Sequence, residues 1–554
     1  MRGRQVFMDS LQAHGVEAIF GNPGTTENSL LDSLADYPDI GYIVALHEGV
    51  AVGAANYYAQ ASGKTGVVNL HVAAGLGNGL GMLFGALKAN APLVITAGQQ
   101  DTRMRLREPI LSHDLVAMAA PVTKWSVEAA SADEMALLMR RAFKIANDPP
   151  HGPVFVALPV DVMEQETGNG ASGPGTLYRA PPPDPEGVAA LAELLLAAER
   201  PVFVAGDDVA RAGADKALVA LAERTGAAVW FESLRQHVSF PTAHPNARAG
   251  LPNTAAAIAK ALDGADLVLL IGGSFFEELW YEAESPFPAS ARVAQIEAAW
   301  RNLSFNYPLD AGLVGHLKAA LEVLDAALGE RSTDAFAAAA RARNDALVAL
   351  KEAEATAQQA RAEKNWDREP MSMARAMTEI RDAMPADAVV VDESITASLD
   401  LARSFAFRGP GDHFSGRGGG IGQGLAGALG VKLALPERPV LAISGDGSAM
   451  YSIQALWTAA HHDLAIVFVI LANREYRVLK HNLDAYRQRF DAPSNRPYPH
   501  MDFATPPLGF VDMARGMGLA ATAVSDADEL GPAIERAFAS GRPALVEVAL
   551  ESKR

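Results

Sequence analysis

The sequence predicts an α/β protein built as three consecutive doubly wound parallel-sheet domains. Three observations carry that reading. Short β-branched runs alternate with helical patterns along the chain, as a parallel sheet with crossover helices requires. The length of 554 residues exceeds one core and suits about three domains of ~100–200 residues each. Two stretches without strand patterns, one rich in Gly and Pro and one rich in Ala, divide the alternation into blocks.

The first block, 1–165, opens on an amphipathic helix pattern in which Val6, Phe7 and Leu11 alternate with Asp9 and Gln12. Strand patterns follow at Glu17–Phe20, Ile40–Ala45, Val67–Val72, Leu93–Ala97 and Val154–Leu158. Gly168–Gly175 and Pro181–Pro183 read as a linker. The second block, 185–328, has strand patterns at Val202–Ala205, Ala228–Phe231, Leu267–Ile271 and Val293–Ile296. An Ala-rich helical connector, Asp334–Glu363, leads to the third block, 370–554. Its strand patterns are Ala388–Val391, Val440–Ser444, Ile466–Leu471 and Leu545–Ala549.

Composition excludes several function classes. Hydrophobic residues make up 49% and charged residues 20%, a balance typical of globular proteins. A net charge of -18 argues against nucleic acid, which needs clustered Lys and Arg. The absence of cysteine removes disulfides, thiolate metal sites and thiol nucleophiles, and fits a reducing compartment. The N-terminal stretch lacks the apolar core of a signal peptide, and the longest apolar run, Leu464–Ala472, is too short to span a membrane. A cytoplasmic location with no membrane partner is expected.

The most informative segment is Leu441–Ser448, which reads strand and then Gly445-Asp446-Gly447. A buried strand brings Gly445 to the carboxyl edge of its sheet, where open α/β sheets bind ligands. The glycines let backbone N–H groups approach phosphate oxygens, and the next helix turns its N-terminus to the anion. An Asp here also serves as an ordinary helix cap. Asn473, 27 residues later at the end of a second strand, tips the balance towards a cation site. A carboxylate and an amide oxygen, completed by a backbone carbonyl and phosphate oxygens, suit Mg²⁺. Two G-x-G-x-x-G patterns, Gly168–Gly173 and Gly422–Gly427, lack the βαβ context of a dinucleotide site.

With this spacing the chain resembles the thiamine-diphosphate-dependent enzymes. The resemblance implies thiamine diphosphate and Mg²⁺ as cofactors, with Asp446, Asn473 and the Glu475 carbonyl as metal ligands. It implies a buried carboxylate at the cofactor's aminopyrimidine, and Glu48, where a strand gives way to the small-residue helix Gly49–Ala55, fits. A lone Glu there would otherwise serve the helix dipole. In this family that carboxylate reaches the cofactor across a subunit interface, which implies at least a homodimer, with a tetramer as the family norm. Ala472-Asn473-Arg474 departs from the usual pattern, and Arg474 either adds charge to the pocket or points to solvent.

Three further stretches, Phe20–Glu27, Asn69–Gly75 and Thr96–Gln100, look like benzoylformate decarboxylases and acetolactate-synthase-like relatives, as do Lys124–Ser126 and the run 445–460. By that likeness Asn22, Pro23 and Gly24 line the pyrimidine. Ile395, Thr396 and Gly420 flank the diphosphate, and Ile421 wedges the bent cofactor. Gly445, Gly447, Ser448 and Tyr451 complete the phosphate side, followed by Tyr476, Arg477, Val478 and Leu479. His71 is the candidate for proton transfer, although a histidine at a strand end is often structural. Thr25, Leu279, Leu479 and Asn482 belong to the substrate pocket. Thr25 stands where benzoylformate decarboxylases have Ser, Leu279 where they carry a second histidine, and Asn482 near a lost aromatic residue. The implied activity is decarboxylation of a small 2-keto acid, with an aldehyde as a further acceptor. An acetolactate-synthase-like carboligase and a 2-hydroxyacyl-CoA lyase stand as alternatives, and a degenerate cofactor-binding protein is disfavoured by intact Glu48, Asp446 and Asn473.

Overall fold

The computed structural model describes residues 1–177, 181–277 and 279–552. The chain forms three six-stranded sheets. The first comprises β1 (Ala18–Gly21), β2 (Gly41–Val44), β3 (Gly66–Leu70), β4 (Leu93–Gln99), β5 (Trp125–Glu128) and β6 (Val154–Pro159). Its order is β2-β1-β3-β4-β6-β5, and every pair is parallel. The second comprises β7 (Pro201–Ala205), β8 (Ala228–Phe231), β9 (Ala247–Gly250), β10 (Leu267–Ile271), β11 (Arg292–Glu297) and β12 (Ala311–Val314). It runs β12-β11-β10-β7-β8-β9. The third comprises β13 (Val389–Glu393), β14 (His413–Ser415), β15 (Val440–Gly445), β16 (Ile466–Ala472), β17 (Ala520–Val524) and β18 (Ala544–Ala549), in the order β14-β13-β15-β16-β18-β17.

The central strands β3, β4, β6, β10 and β16 are buried throughout. Both faces of such strands are covered by crossover helices, which is why they read as continuous apolar runs. The strand expected over Val67–Val72 ends earlier, at Leu70, because Val72 already begins a helix. Similarly, the strand before Glu48 ends at Val44, and Glu48 is itself the first helical residue. The expectation missed β5, β9, β12, β14 and β17.

By chain contacts the molecule divides into two compact units. Residues 1–177, 365–405 and 415–554 form one, which holds the first sheet and strands β13 and β15–β18 of the third, and residues 178–364 with 406–414 form the other. Eight helices matter below: α1 (Gly3–Ala13), α2 (Glu48–Ser62), α3 (Val72–Lys88), α4 (Asp334–Glu363), α5 (Gln423–Ala434), α6 (Asp446–Ala449), α7 (Ala455–His461) and α8 (Arg477–Arg489). The Ala-rich α4 has the predicted bounds and buries only Ala340. Among the described residues no helix is long and apolar enough to cross a membrane.

The first and third sheets are joined through α2 and α5. Every residue from Glu48 to Ala59 in α2 and from Gln423 to Val431 in α5 is buried. A helix apolar on all sides must be covered all round, and these two cover each other. Small residues set the approach: a Cβ at Gly53 would lie 2.8 Å from that of Ala426, and one at Gly427 would lie 2.6 Å from the Tyr57 ring. At Gly430 a Cβ would overlap the Ala54 carbonyl, a backbone atom with no rotamer to give way. Gly430→Ala is therefore expected to destabilise this unit by about 1–3 kcal/mol, the usual cost of overpacking. Thermal unfolding checks it, and an unchanged midpoint would contradict the packing described.

Candidate active site

In the first sheet the chain leaves β1 on one side to make β2 and on the other to make β3, so the switch point lies between β1 and β3. Ligands of open α/β sheets bind beyond the strand ends at such points. Asn22, Pro23, Gly24 and Thr25 follow β1, and His71 follows β3. Glu48, 6% exposed, opens α2 with His47 as its cap, where the N–H of Gly49 donates to Nδ1 of His47. Its two carboxylate oxygens accept from Asn22 Nδ2 at 3.2 Å and Asn78 Nδ2 at 3.0 Å.

His71 precedes Val72, whose φ of 41° is a strained conformation for a β-branched residue. Such strain persists only where the surroundings over-determine it, and it clusters at functional sites. The anchor is Glu27, 2% exposed. Its Oε2 lies 2.8 Å from His71 Nδ1 and accepts from the Gly24 N–H at 2.8 Å. Its Oε1 accepts from the Gly98 N–H at 2.9 Å and Thr26 Oγ1 at 2.7 Å. With Nδ1 donating to this carboxylate, Nε2 is the nitrogen left for chemistry. A Cβ at Gly24 would overlap the His71 ring, so glycine is required there. Beside them lies a cavity of about 410 Å³ lined in part by Thr25, Thr26, Ser29, His71, Gln100 and Asp101. The sequence reading missed Glu27 as a partner of His71. An acid opening a helix after Thr25-Thr26 looks like an ordinary capping residue.

The third sheet has its switch point between β13 and β15. Ile395 and Thr396 follow β13, and Ile395 takes a φ of 50°. Asp446 follows β15 and is buried. Its Oδ1 accepts from the Gly447 N–H at 2.8 Å and its Oδ2 from the Arg474 N–H at 2.6 Å, tying the end of β15 to the end of β16. Burial pushes its carboxyl up to about 6 against the pull of those N–H groups. Asn473 Oδ1 accepts from the Glu475 N–H at 3.1 Å.

The buried Glu475 carboxylate pairs with Arg477 at 2.9 Å and with Lys480, while Arg477 also donates to the Glu551 carbonyl. The Arg477 side chain is therefore committed to structure. Arg474 is exposed, with a φ of 59°, and its charge helps to lower the Asp446 carboxyl against the burial that raises it. Tyr476 packs edge-on against Phe503 at 4.9 Å. Ser448 is buried and Tyr451 exposed. Val478, Leu479 and Asn482 lie on α8, the last two exposed. Gly420 and Ile421 lead into α5, whose first N–H groups are held by an acid the sequence reading did not single out. Glu393 accepts from Gly422, Gln423 and Gly424 at 2.7, 2.9 and 2.9 Å, and burial pushes its carboxyl up to about 7. Among the described residues, no three His, Asp or Glu side chains gather as a metal group.

Leu279 lies in the other compact unit, 55% exposed in the segment after β10. At that unit's own switch point, between β7 and β10, the Asp207 N–H donates to Glu232 at 2.7 Å and the Gly273 N–H to Glu297 at 3.4 Å. Two amide N–H groups at that edge thus serve the protein's own acids. Burial, with Asp208 and Glu232 nearby, pushes Glu297 up to about 8.

Two switch-point edges with buried acids lie on one compact unit, and comparison with known proteins gives the class. The N-terminal TPP binding domain of thiamine pyrophosphate enzymes matches residues 1–118, the central domain 188–324 and the C-terminal TPP binding domain 396–548. The chain is 35% identical to benzoylformate decarboxylase of Pseudomonas aeruginosa over 97% of each chain. It is 29% identical to an acetolactate synthase large subunit of Mycobacterium tuberculosis, covering 99% of this chain and 95% of that one. The solved structure of a thiamine diphosphate-dependent 4-hydroxybenzoylformate decarboxylase from Rhodococcus jostii RHA1 superposes with a TM-score of 0.85 at 29% identity, over all of both chains. The chain belongs to the thiamine pyrophosphate enzyme family, whose members are decarboxylases and carboligases that use thiamine diphosphate.

Glu27→Gln tests the anchor. The amide has the same shape but turns an N–H donor towards one pair of donors, and an unsatisfied buried group costs about 1–3 kcal/mol. Denaturant unfolding should show that loss, and crystals of the variant should show His71 displaced. Native stability with His71 in place would contradict the assignment.

Proposed function

We propose that this protein decarboxylates a small 2-keto acid using thiamine diphosphate held through Mg²⁺, and that it also joins the acyl unit to an aldehyde. The observation that carries the reading is the Asp446 turn at the β13–β15 switch point, with Asn473 beside it. When bound, the cofactor supplies a nucleophilic carbon and an electron sink for the departing carboxylate.

The residues fit that group. A Cβ at Gly445 would have only Ser394 O and Ser448 Oγ near it, both at 4.0 Å. The protein's own packing therefore leaves room that a phosphate can take. Asp446 is a buried carboxylate met only by N–H donors, and a cation would offset its burial. Asp446, the Asn473 amide oxygen and the Glu475 carbonyl would hold Mg²⁺, an oxygen-only set in keeping with a hard cation.

Ile395, Thr396, Gly420, Gly447, Ser448 and Tyr451 would flank the diphosphate, with backbone groups of 476–479 beside them and Ile421 as the wedge. Asn22, Pro23 and Gly24 would line the pyrimidine, and Glu48 would hydrogen-bond its ring nitrogen from a second copy of the chain. That requirement supports a homodimer at least, and a tetramer by family resemblance. His71, oriented by Glu27, would carry the proton at Nε2. Thr25, Leu279, Leu479 and Asn482 would shape the substrate pocket. The composition supports a cytoplasmic setting.

The pH dependence follows from Asp446. A protonated carboxyl cannot ligate, so metal-supported cofactor binding should be near full strength above pH 6 and weaken about tenfold per unit well below it. Titrating the protein with thiamine diphosphate and magnesium from pH 5 to 8 checks this, and a flat affinity would contradict it.

The partition between products follows from Leu279. General acid–base groups contribute about 10²–10⁴-fold, so a missing histidine slows proton delivery and leaves an aldehyde more time to react. Assay of a 2-keto-acid panel with and without an aldehyde should give CO₂ release and appreciable 2-hydroxyketone. Leu279→His should shift product towards simple aldehyde. Exclusive, fast aldehyde formation by the native protein at high acceptor concentration would refute the inference.

A further inference from the structure

β2 is an edge strand, bonded to β1 along one side only. Its last residue, Val44, would present an unpaired N–H and C=O on the open side, yet both are taken by side chains of α7 and of His462, the residue that caps its C-terminus. The Val44 N–H donates to His462 Nε2 at 3.0 Å, and Thr458 Oγ1 donates to the Val44 carbonyl at 3.1 Å. On the inner side the next N–H, that of Ala45, donates to the Gly21 carbonyl at 2.9 Å. The chain is thus held from both sides four residues before Glu48. Gly21 itself leads into Asn22, which donates to Glu48.

The chemistry of the bond specifies the ring. A backbone N–H needs an acceptor, so His462 Nε2 carries a lone pair and the imidazole is neutral. Its surroundings agree: burial lowers its pKa and the neighbouring His461 lowers it further. His461 is in turn stacked on Trp457 at 4.6 Å and meets His462 edge-on at 4.7 Å. Thr458 is fully buried. These residues lie in the segment just after the Asp446 turn, so one stretch of the third sheet borders the proposed metal site and grips the arm that carries Glu48.

We propose that Thr458 and His462 are positioning residues for Glu48, clamping both polar groups of the Val44 peptide and thereby setting the reach of the 45–48 arm. The proposal rests on the reading of Glu48 as the partner of the cofactor's pyrimidine.

Two measurements on the full chain test it. Amide hydrogen exchange of the segment 41–48, followed by mass spectrometry in the cofactor-free protein, reports the clamp directly. Exchange of the C2 proton of bound thiamine diphosphate reports Glu48. His462→Leu should raise amide exchange in 41–48 about fivefold, as expected for one lost hydrogen bond. It should slow C2 exchange about tenfold to a hundredfold, as small misplacements do. His462→Gln, whose Oε1 can stand in for Nε2, should restore both to within about twofold of native. If His462→Leu does not fold, Thr458→Val removes only the hydroxyl donor and should move both readouts in the same direction. Native C2 exchange in the folded variants, or equal losses in His462→Leu and His462→Gln, would overturn the positioning role. Unchanged amide exchange in 41–48 would overturn the clamp itself. Glu48→Gln run alongside separates the two layers: native C2 exchange in that variant overturns the reading of Glu48, whereas the amide result still judges the clamp.

Discussion

The close packing of α2 against α5 is the constraint on which the larger compact unit depends. Both helices start at candidate site residues. Glu48 is the first residue of α2, and Gly420 and Ile421 immediately precede α5. The contact between them is made by Gly53, Ala54, Tyr57, Ala426, Gly427 and Gly430, with backbone and ring atoms too near for larger side chains. Interiors packed at this density transmit displacement rather than absorb it. Glu393 reinforces the same junction by holding three N–H groups at the start of α5. The apolar helices thus fix where two sets of polar groups stand, although none of their apolar residues does chemistry.

Strain appears where those polar groups emerge. Val72, Ile395 and Arg474 each carry a positive φ, and each adjoins a strand end that presents His71, Thr396 or Asn473. None of the three is glycine, so the neighbouring hydrogen bonds must hold them. Buried acids provide much of that hold: Glu27 gathers the loops after β1 and β3 and the end of strand β4, and Asp446 ties the end of β15 to the end of β16. The first and third sheets share one strand order, whereas the second has another, and two amides at its switch point bond to Glu232 and Glu297. The edges that carry Glu27 and Asp446 thus belong to the two sheets of shared order.

The sequence made the centre of each sheet legible and left most of the rims obscure. The five strands it missed, β5, β9, β12, β14 and β17, all sit at sheet edges. Edge strands face water along one side, and mixed burial such as that of β17 or β12 erases the apolar run that marks a central strand. The candidate site divides similarly. Asp446 and Asn473 are marked by their spacing after two strand patterns, whereas Glu48 and His71 take their roles from the family resemblance. Beyond its local bonds to Gly24 and Thr26, Glu27 acts on distant partners, as do Glu393, Thr458 and His462, at separations of 29 to more than 400 residues, as in Glu393 to Gly422 and His462 to Val44. No local pattern marks such a partnership, because the sheet topology creates it. The family resemblance gave roles to residues at the site, whereas the coordinates show what holds them.

The central proposal is that two sheet edges, contributed by two copies of the chain, serve one thiamine-diphosphate site, Asp446 retaining the cofactor and Glu48 activating it. The most direct measurement is turnover of a 2-keto acid together with the cofactor content of the same preparations, for the native protein, Asp446→Ala and Glu48→Gln. The account predicts that Asp446→Ala loses the cofactor and its turnover together, while Glu48→Gln keeps most of the cofactor and loses turnover. Cofactor retained in Asp446→Ala, or native turnover in Glu48→Gln, would contradict it.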